Sequence, residues 1–438
     1  MSSPVSQLRH PEPEIAAPAP MPVPDEGAAA PVPAAAPQTA KVLDTEVAAR
    51  KLDIADALRI AATTYGKPYQ QVLLEIAKLS FGGGKLAIGD YFAFRLFDDA
   101  MLAGADKSQF VGLDGSRRIW TTANFDSEWW GLMANKLAVT TLLGGYGYPV
   151  IPTLALYSAT LPFRSAPRIA SPEALATFLR NPGRYPLFGK PMDSLRSLGS
   201  ASFDRIDLDT DELVSPTGSR VKVEAFSREV ADLYGAGYIL QRRAHPHAAI
   251  RAIVGDRLAT VRMLTLRTNA GTRMHRAVWK IPAGGNVADN FWRGGNQLAT
   301  LDLETGRVLR VVRGVGLQQE QVTHHPDSGE PLIGFTLPLW DEMRALVCEA
   351  AGTLGGIRLV GWDVAATDTG PLIVEPNYTP DFDMVQMADR RGILDEAFKA
   401  FLAECREGAK EAKRRLRRIH LADTKERFEA FSRSMGLR

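Results

Sequence analysis

The spacing of apolar positions changes several times along the chain. Over residues 1 to about 42 prolines recur every few positions, with too few large apolar side chains to build a core. This stretch predicts a disordered, polyproline-leaning tail that is dispensable for ligand binding. From about 43 to 80 the pattern is helical, with Leu58, Ala61, Ala62 and Tyr65 on one face. A mixed stretch, FGGGKLAIGDYFAFRLFDD, and the Trp-rich NFDSEWW follow. ANKLAVTTLLGG predicts a helix stopped by Gly144 and Gly145, and VIPTLALYS predicts a strand. SPEALATFLR is a helix with its start written out: Ser171 caps it, Pro172 occupies the first turn and Glu173 complements the dipole.

The middle of the chain reads as strands: YPLFGKP, GYILQR, AIRAIVG, LATVRMLTLR and RMHRAVWKI. FTLPLWDEMRALVCEAAGTLGG predicts a helix closed by glycines. LVGWDVAAT and PLIVEPN predict two strands with a tight link, and the chain from about 391 is helical and basic. Strands with interposed helices indicate an α+β or α/β architecture. At about 150 residues per domain, 438 residues suggest two or three domains.

Composition narrows the function classes. The formal net charge is +2, so no nucleic-acid partner is expected from overall charge, although a local patch such as KEAKRRLRRIH remains available. Cys348 and Cys405 form no CxxC pair, which excludes a disulfide framework and a cysteine zinc cluster and fits a reducing compartment. His245/His247 and His324/His325 lack the helical spacing of a zinc site. No apolar run is long enough for a transmembrane segment, and the start lacks a secretory layout, so a cytoplasmic location is expected.

LVGWDVAATDTGPLIVEPN carries the most chemistry. Taking Asp368-Thr369-Gly370 as a three-residue loop pairs Thr367 with Pro371, Ala365 with Ile373 and Asp363 with Glu375. Asn377 then shares a face with Glu375. Two opposed carboxylates repel unless one is protonated or a cation lies between them. With an amide oxygen they make a hard-oxygen set suited to Mg²⁺ held together with phosphates. The alternative is an acid splayed to solvent on an edge strand.

A phosphate partner for that set is not a P-loop, because GxxxxGK[ST] is absent, and no GxGxxG follows a strand. Two lysines stand out instead. Lys136 opens the ANKLAVTTLL helix, and Lys190 ends the strand YPLFGK before the Ser/Gly-rich loop PMDSLRSLGSAS. The hydroxyls and backbone N–H groups of that loop, with Ser197, Gly199 and Ser200, suit phosphate oxygens. There is no G-x-S-x-G elbow and no Cys–His pair, so a side-chain nucleophile is not indicated.

These pieces, in this order, resemble the ATP-grasp superfamily. The likeness is to its glutamate-ligase-like branch and to the sugar-transfer associated group within it. MANKLAVTTLLGGYGYPVIPT, YILQRRAHPH, ADNFWRGGN and the carboxylate hairpin carry it, over roughly 80 to 405. The resemblance implies an ATP-grasp fold, two α+β lobes clasping ATP, over 135–405. A helical and mixed region at 43–134 would precede it, and a basic helical extension at 406–438 would follow. It implies that Lys136 and Lys190 hold ATP phosphates, that backbone groups at Gln241 and Arg242 read the adenine edge, and that His247 meets the ribose. Asp363, Glu375 and Asn377 would hold Mg²⁺, Arg262 would face the transferred phosphoryl and Asn290 would lie near the acceptor. The implied reaction is carboxylate–amine ligation through an acyl-phosphate, on small-molecule substrates connected with sugar-polymer or cell-surface biosynthesis. A small-molecule kinase and a non-catalytic nucleotide-binding partner are the competing readings. The sequence leaves the oligomeric state open.

Overall fold

Asp53 starts the first helix by accepting a hydrogen bond from the Asp56 amide. The computed structural model describes residues 43, 53–161, 163–193, 198–286 and 288–434; the expected tail over 1–42 and Ser197 lie outside them. The helical stretch expected over 43–80 contains α1 (Ile54–Thr63) and α2 (Tyr69–Phe81). Between them Gly66 adopts φ +66° and Pro68 offers no donor, so one continuous helix cannot form. Short helices α3 (Ile88–Ala93) and α4 (Asp99–Leu102) lead to α5 (Leu113–Ala123), α6 (Glu128–Ala134) and α7 (Lys136–Gly145).

Two larger sheets follow from the strand-rich middle. The first has order β2-β1-β8-β3-β4, built from β1 (Thr153–Tyr157), β2 (Arg168–Ile169), β3 (Leu187–Pro191), β4 (Ala201–Phe203) and β8 (Tyr238–Arg242). A small sheet of β5 (Arg205–Asp207), β6 (Glu212–Val214) and β7 (Arg220–Lys222) is inserted between its strands. Helices α8 (Pro172–Leu179) and α9 (Val223–Tyr234) pack on one face of the first sheet, where Leu187, Tyr238 and Leu240 join their core. Period-two alternation then sends Phe188, Lys190, Ile239 and Gln241 to the opposite face.

The second sheet has seven strands in the order β13-β12-β11-β10-β9-β14-β15. They are β9 (Val261–Thr268), β10 (Gly271–Ile281), β11 (Gln297–Leu301), β12 (Val308–Arg313), β13 (Glu320–Val322), β14 (Leu359–Thr367) and β15 (Gly370–Asn377). One face packs against α1 to α5, α12 (Phe382–Asp389) and the start of α13 (Glu396–Ser434). The other packs against α6, α7, α10 (Ala248–Val254) and α11 (Trp340–Thr353). Val261 and Met263 belong to the second layer, whereas Leu264 and Leu266 belong to the first. Among the described residues no helix is long and apolar enough to cross a membrane. The α+β class read from the sequence holds.

AIRAIVG is a helix, not the expected strand. Its apolar residues Ile250, Ile253 and Val254 are all buried on one helical face, and the His247 side chain caps the start by accepting from the Ala249 amide. In a segment this short the apolar run fits either period, and the cap decides. The helix expected over FTLPLWDEMRALVCEAAGTLGG begins only at Trp340, after Leu339 in a left-handed conformation.

Asn124 ties the N-terminal helices to the hairpin. Fully buried, its amide donates to the carbonyls of Leu359 and Tyr378 at 2.9 and 2.7 Å and accepts from the Arg358 and Leu359 amides at 2.9 Å each. That fixes both the entry to β14 and the exit from β15.

Candidate active site

The hairpin of β14 and β15 sets the geometry. Its loop has two residues, Asp368 and Thr369, so Thr367 pairs with Gly370 and Ala365 with Leu372, one residue off the expected register. An irregularity between Asp363 and Val364 inserts Val374 as an extra residue, and the pairing of Asp363 with Glu375 is restored. Asn377 then falls opposite Gly361 and donates to its carbonyl at 3.3 Å. The hairpin tip is anchored to the exit of β8: the His247 amide donates to the Ala366 carbonyl at 2.8 Å, and the Ala248 amide donates to Asp368 Oδ1 at 2.8 Å.

Between the inner face of the five-stranded sheet and this hairpin lies a cavity of about 450 Å³. That is within the range of small-molecule sites. Lys136, Lys190, Ser200, Gln241, Arg242, Asp363, Glu375 and Asn377 all line it, so most of the predicted site is brought to one place. Phe188, Ile151, Met133, Leu258 and Val374 give it apolar surface.

The positive wall is built by two devices. Asn135 caps α7 by accepting from the Ala138 amide, which places Lys136 in the first turn. A cation there runs against the helix dipole. Lys190 ends β3 on the inner face and is buried. Burial pushes its pKa below the ordinary lysine value, and Lys136 adds to the effect; Glu375 and Asp363 oppose the shift without cancelling it. No carboxylate among the described residues lies within ion-pair distance of Lys190.

The opposite wall is a connected charge cluster on three adjacent strands. Arg262 pairs in register with both Val278 and Asp363, so period two puts Arg262, Lys280 and Asp363 on one face. Arg262 grips Asp363 in a fork, Nε to Oδ1 at 2.6 Å and Nη2 to Oδ2 at 3.0 Å. Lys280 Nζ sits 3.1 Å from Asp363 and 3.4 Å from Asp289. Burial works against the charge of Asp363, but Arg262 and Lys280 outweigh it and hold its pKa below the ordinary range. Burial likewise disfavours the Lys280 ammonium, yet Asp289 and Asp363 hold its pKa above the usual lysine value. At Asp289 burial and the Asp363 charge prevail over Lys280 and the carboxyl is pushed up. The Thr260 amide and hydroxyl donate to it at 2.7 and 2.6 Å.

Several predicted residues stand elsewhere. Arg262 lies behind the lining and reaches the cavity through Asp363. Gly199 adopts φ +71° in a turn whose carbonyl accepts from the Tyr238 hydroxyl, and a Cβ there would meet Tyr234, so its place is a tight turn. Asn290 does not line the cavity: its side-chain oxygen accepts from the Trp292 amide in a local turn, and its neighbour Asp289 faces inward. His247 is the cap of α10, outside the lining. Trp129 and Trp130 pack against the core of the seven-stranded sheet, and Trp292 donates to Asp381 at 3.1 Å.

Lys280, Asp289 and Thr260 were missed. Lys280 carries a signal close to the one that singled out Lys190, an ammonium near the end of a strand with a proline following, here two positions on. Asp289 and Thr260 have no such signal, since only folding brings them beside β10.

The donor set Asp363, Glu375 and Asn377 suits a hard cation. Among the described residues no group of three His, Cys, Asp or Glu side chains forms an all-protein cage. Mg²⁺ shared with phosphates needs only one or two carboxylates. Gln241 donates from Nε2 to the Ile151 carbonyl at 3.0 Å, and its buried Oε1 has no partner among the described residues.

Residues 206–400 match the sugar-transfer associated ATP-grasp family. That segment, somewhat less than half of the chain, is similar to the family that the order of its motifs implied. The ATP-grasp ligase PsnB bound to a minimal precursor is 15% identical, with a TM-score of 0.34, covering 63% of this chain and 62% of that one. The D-alanine–D-alanine ligase of Coxiella burnetii is 13% identical, with a TM-score of 0.38, covering 67% of this chain and 62% of that one. This chain thus spans about 62% of the length of each of these two structures. No curated protein matches. The assignment rests on the family match, which begins beyond Lys136 and Lys190.

Proposed function

We propose that the protein is an ATP-dependent ligase that joins a carboxylate to an amine in this cavity. One observation carries the reading: two cations, Lys136 and Lys190, share a cavity with the oxygen donors Glu375 and Asn377. That division suits a metal-bound polyphosphate, whose anionic chain needs cations and whose metal needs oxygens.

Lys136, Lys190 and the Ser200/Ser202 edge would hold the phosphates. The purine would lie against Ile151, Phe188 and Val374 beside Gln241 and Arg242. Asp363, Glu375 and Asn377 would hold Mg²⁺, which when bound neutralises phosphoryl oxygens. Arg262 acts through Asp363 as a positioning residue, and Lys280, on the lining, is the cation set to meet the transferred phosphoryl.

A carboxylate is a poor electrophile because its departing group would be oxide. Its oxygen attacks the γ-phosphorus, the bond to the bridging oxygen breaks, and ADP leaves. The amine then attacks the acyl carbon, loses a proton and expels phosphate. This strategy needs positioning and charge but no side-chain nucleophile. The family's association with sugar transfer supports an acid or amine connected with sugar-polymer or cell-surface biosynthesis, in the glutamate-ligase-like manner.

The test is incubation with Mg-ATP and pools of amino acids and sugar acids, followed by mass spectrometry. A condensation product accompanying ADP and phosphate is expected. Phosphate retained on the acceptor would make the protein a kinase instead. Glu375→Gln should abolish metal-dependent ADP release, and retained turnover would misplace the metal site.

A further inference from the structure

The end of α13 is not explained by the cavity. Its first turns bury Phe398, Phe401, Leu402 and Cys405 against the body. From Lys410 to Phe431 every described side chain except Ala412 is exposed, about 32 Å of projecting helix. Between 410 and 418 there are six cations, Lys410, Lys413, Arg414, Arg415, Arg417 and Arg418, and one acid, Glu411, a net +5. The whole chain is +2, so the rest of it is net −3. Within this basic stretch Ala409, Ala412, Leu416 and Ile419 fall on one helical stripe, with Leu416 57% and Ile419 54% exposed. Lys413 and Arg415 flank the stripe, and the other cations occupy the far side.

We propose that residues 409–420 of α13 dock on an anionic lipid surface. Charge complementarity selects an anionic partner, and the apolar stripe selects among anionic partners. A nucleic acid would satisfy the cations and leave Leu416 and Ile419 in water. A second copy of the helix would have to bury Asp423 and Glu426, which continue the stripe at the same three–four spacing and spoil a coiled-coil seam. A bilayer interface accepts both features: Leu416 and Ile419 enter the acyl boundary while Lys413 and Arg415 reach back to phosphates.

The test is co-sedimentation of the full chain with vesicles of phosphatidylglycerol and phosphatidylcholine in equal parts, and with phosphatidylcholine alone. Binding only to the anionic vesicles, weakened by salt, is expected. Lys413→Glu/Arg415→Glu should weaken partitioning about 25-fold or more, because each basic side chain near the surface is worth roughly fivefold. Leu416→Ser/Ile419→Ser should remove the binding that survives at high salt. Unchanged melting temperatures would show that both variants fold. Equal binding to neutral vesicles, no binding to either, or undiminished binding by the charge-reversed variant overturns the proposal. So does a dimer in light scattering that Leu416→Ser/Ile419→Ser dissolves, or RNA binding without lipid binding.

Discussion

Lys190 and Lys280 end two similar strands, FGKP and WKIP, line the same cavity, and are 7% and 6% exposed. Their charges are handled in opposite ways. Lys280 sits between Asp289 and Asp363, which together outweigh its burial. Lys190 has no carboxylate in contact among the described residues, and burial depresses its pKa. Equal burial therefore hides two different charge environments. One lysine completes a nearly neutral cluster that holds the hairpin in place. The other keeps a desolvation cost that, on the proposed reading, an incoming anion would relieve.

The largest expected effect is on stability. Lys280→Ala leaves Asp289 buried without its cation and Asp363 with one partner fewer, and should cost about 3 kcal/mol in urea unfolding. Lys190→Ala should cost nothing or stabilise. Equal losses from the two substitutions would erase the distinction between them.

Next comes affinity. Lys190→Ala should weaken Mg-ATP binding by about 1.5–3 kcal/mol, roughly 10- to 150-fold, measured by titration calorimetry. An unchanged affinity would take Lys190 out of the phosphate site.

The pH dependence sharpens the same contrast. The folded pKa of Lys190 lies below its unfolded value, so between the two the unfolded chain binds more protons. Stability should rise with pH through that window, and the full cost of the buried charge is present below the folded pKa. Urea melts on the alkaline side of neutrality should show this slope in the wild type and a smaller one in Lys190→Met. Identical slopes would assign it to other groups.

The smallest effect concerns the base. Gln241→Leu removes the unpartnered Oε1 and should raise the KM for ATP about fivefold while leaving that for GTP nearly unchanged. Parallel changes for both nucleotides would deny Gln241 a part in base reading.

How much of this was legible beforehand differs by residue. Asp363 and Glu375 were expected opposite each other, and they are, but through two departures that cancel: a shorter loop and the extra residue Val374. The strand pattern encodes which acids meet, and turn geometry and bulges are decided by packing. Helix α7 was readable from its apolar run and closing glycines, and the structure adds Asn135 as its cap. Helix α10 was not, because seven residues of mixed apolar and small side chains fit either period until His247 caps them. Lys190 stood out by its strand-end position, and Lys280 satisfied the same criterion unnoticed. The roles given to Arg262, Asn290 and His247 came from motif order, which cannot tell a residue facing the cavity from one turned behind it.

The most direct test is proton uptake on nucleotide binding. Calorimetric titration of Mg-ATP in buffers of different ionisation enthalpy, across the alkaline side of neutrality, measures it. If Lys190 is held below its ordinary pKa and recovers on meeting phosphates, the wild type takes up as much as one proton as the pH rises past the free-state pKa. Lys190→Arg, always charged, takes up none. Uptake that is absent in the wild type, or that persists unchanged in Lys190→Arg, would contradict the account.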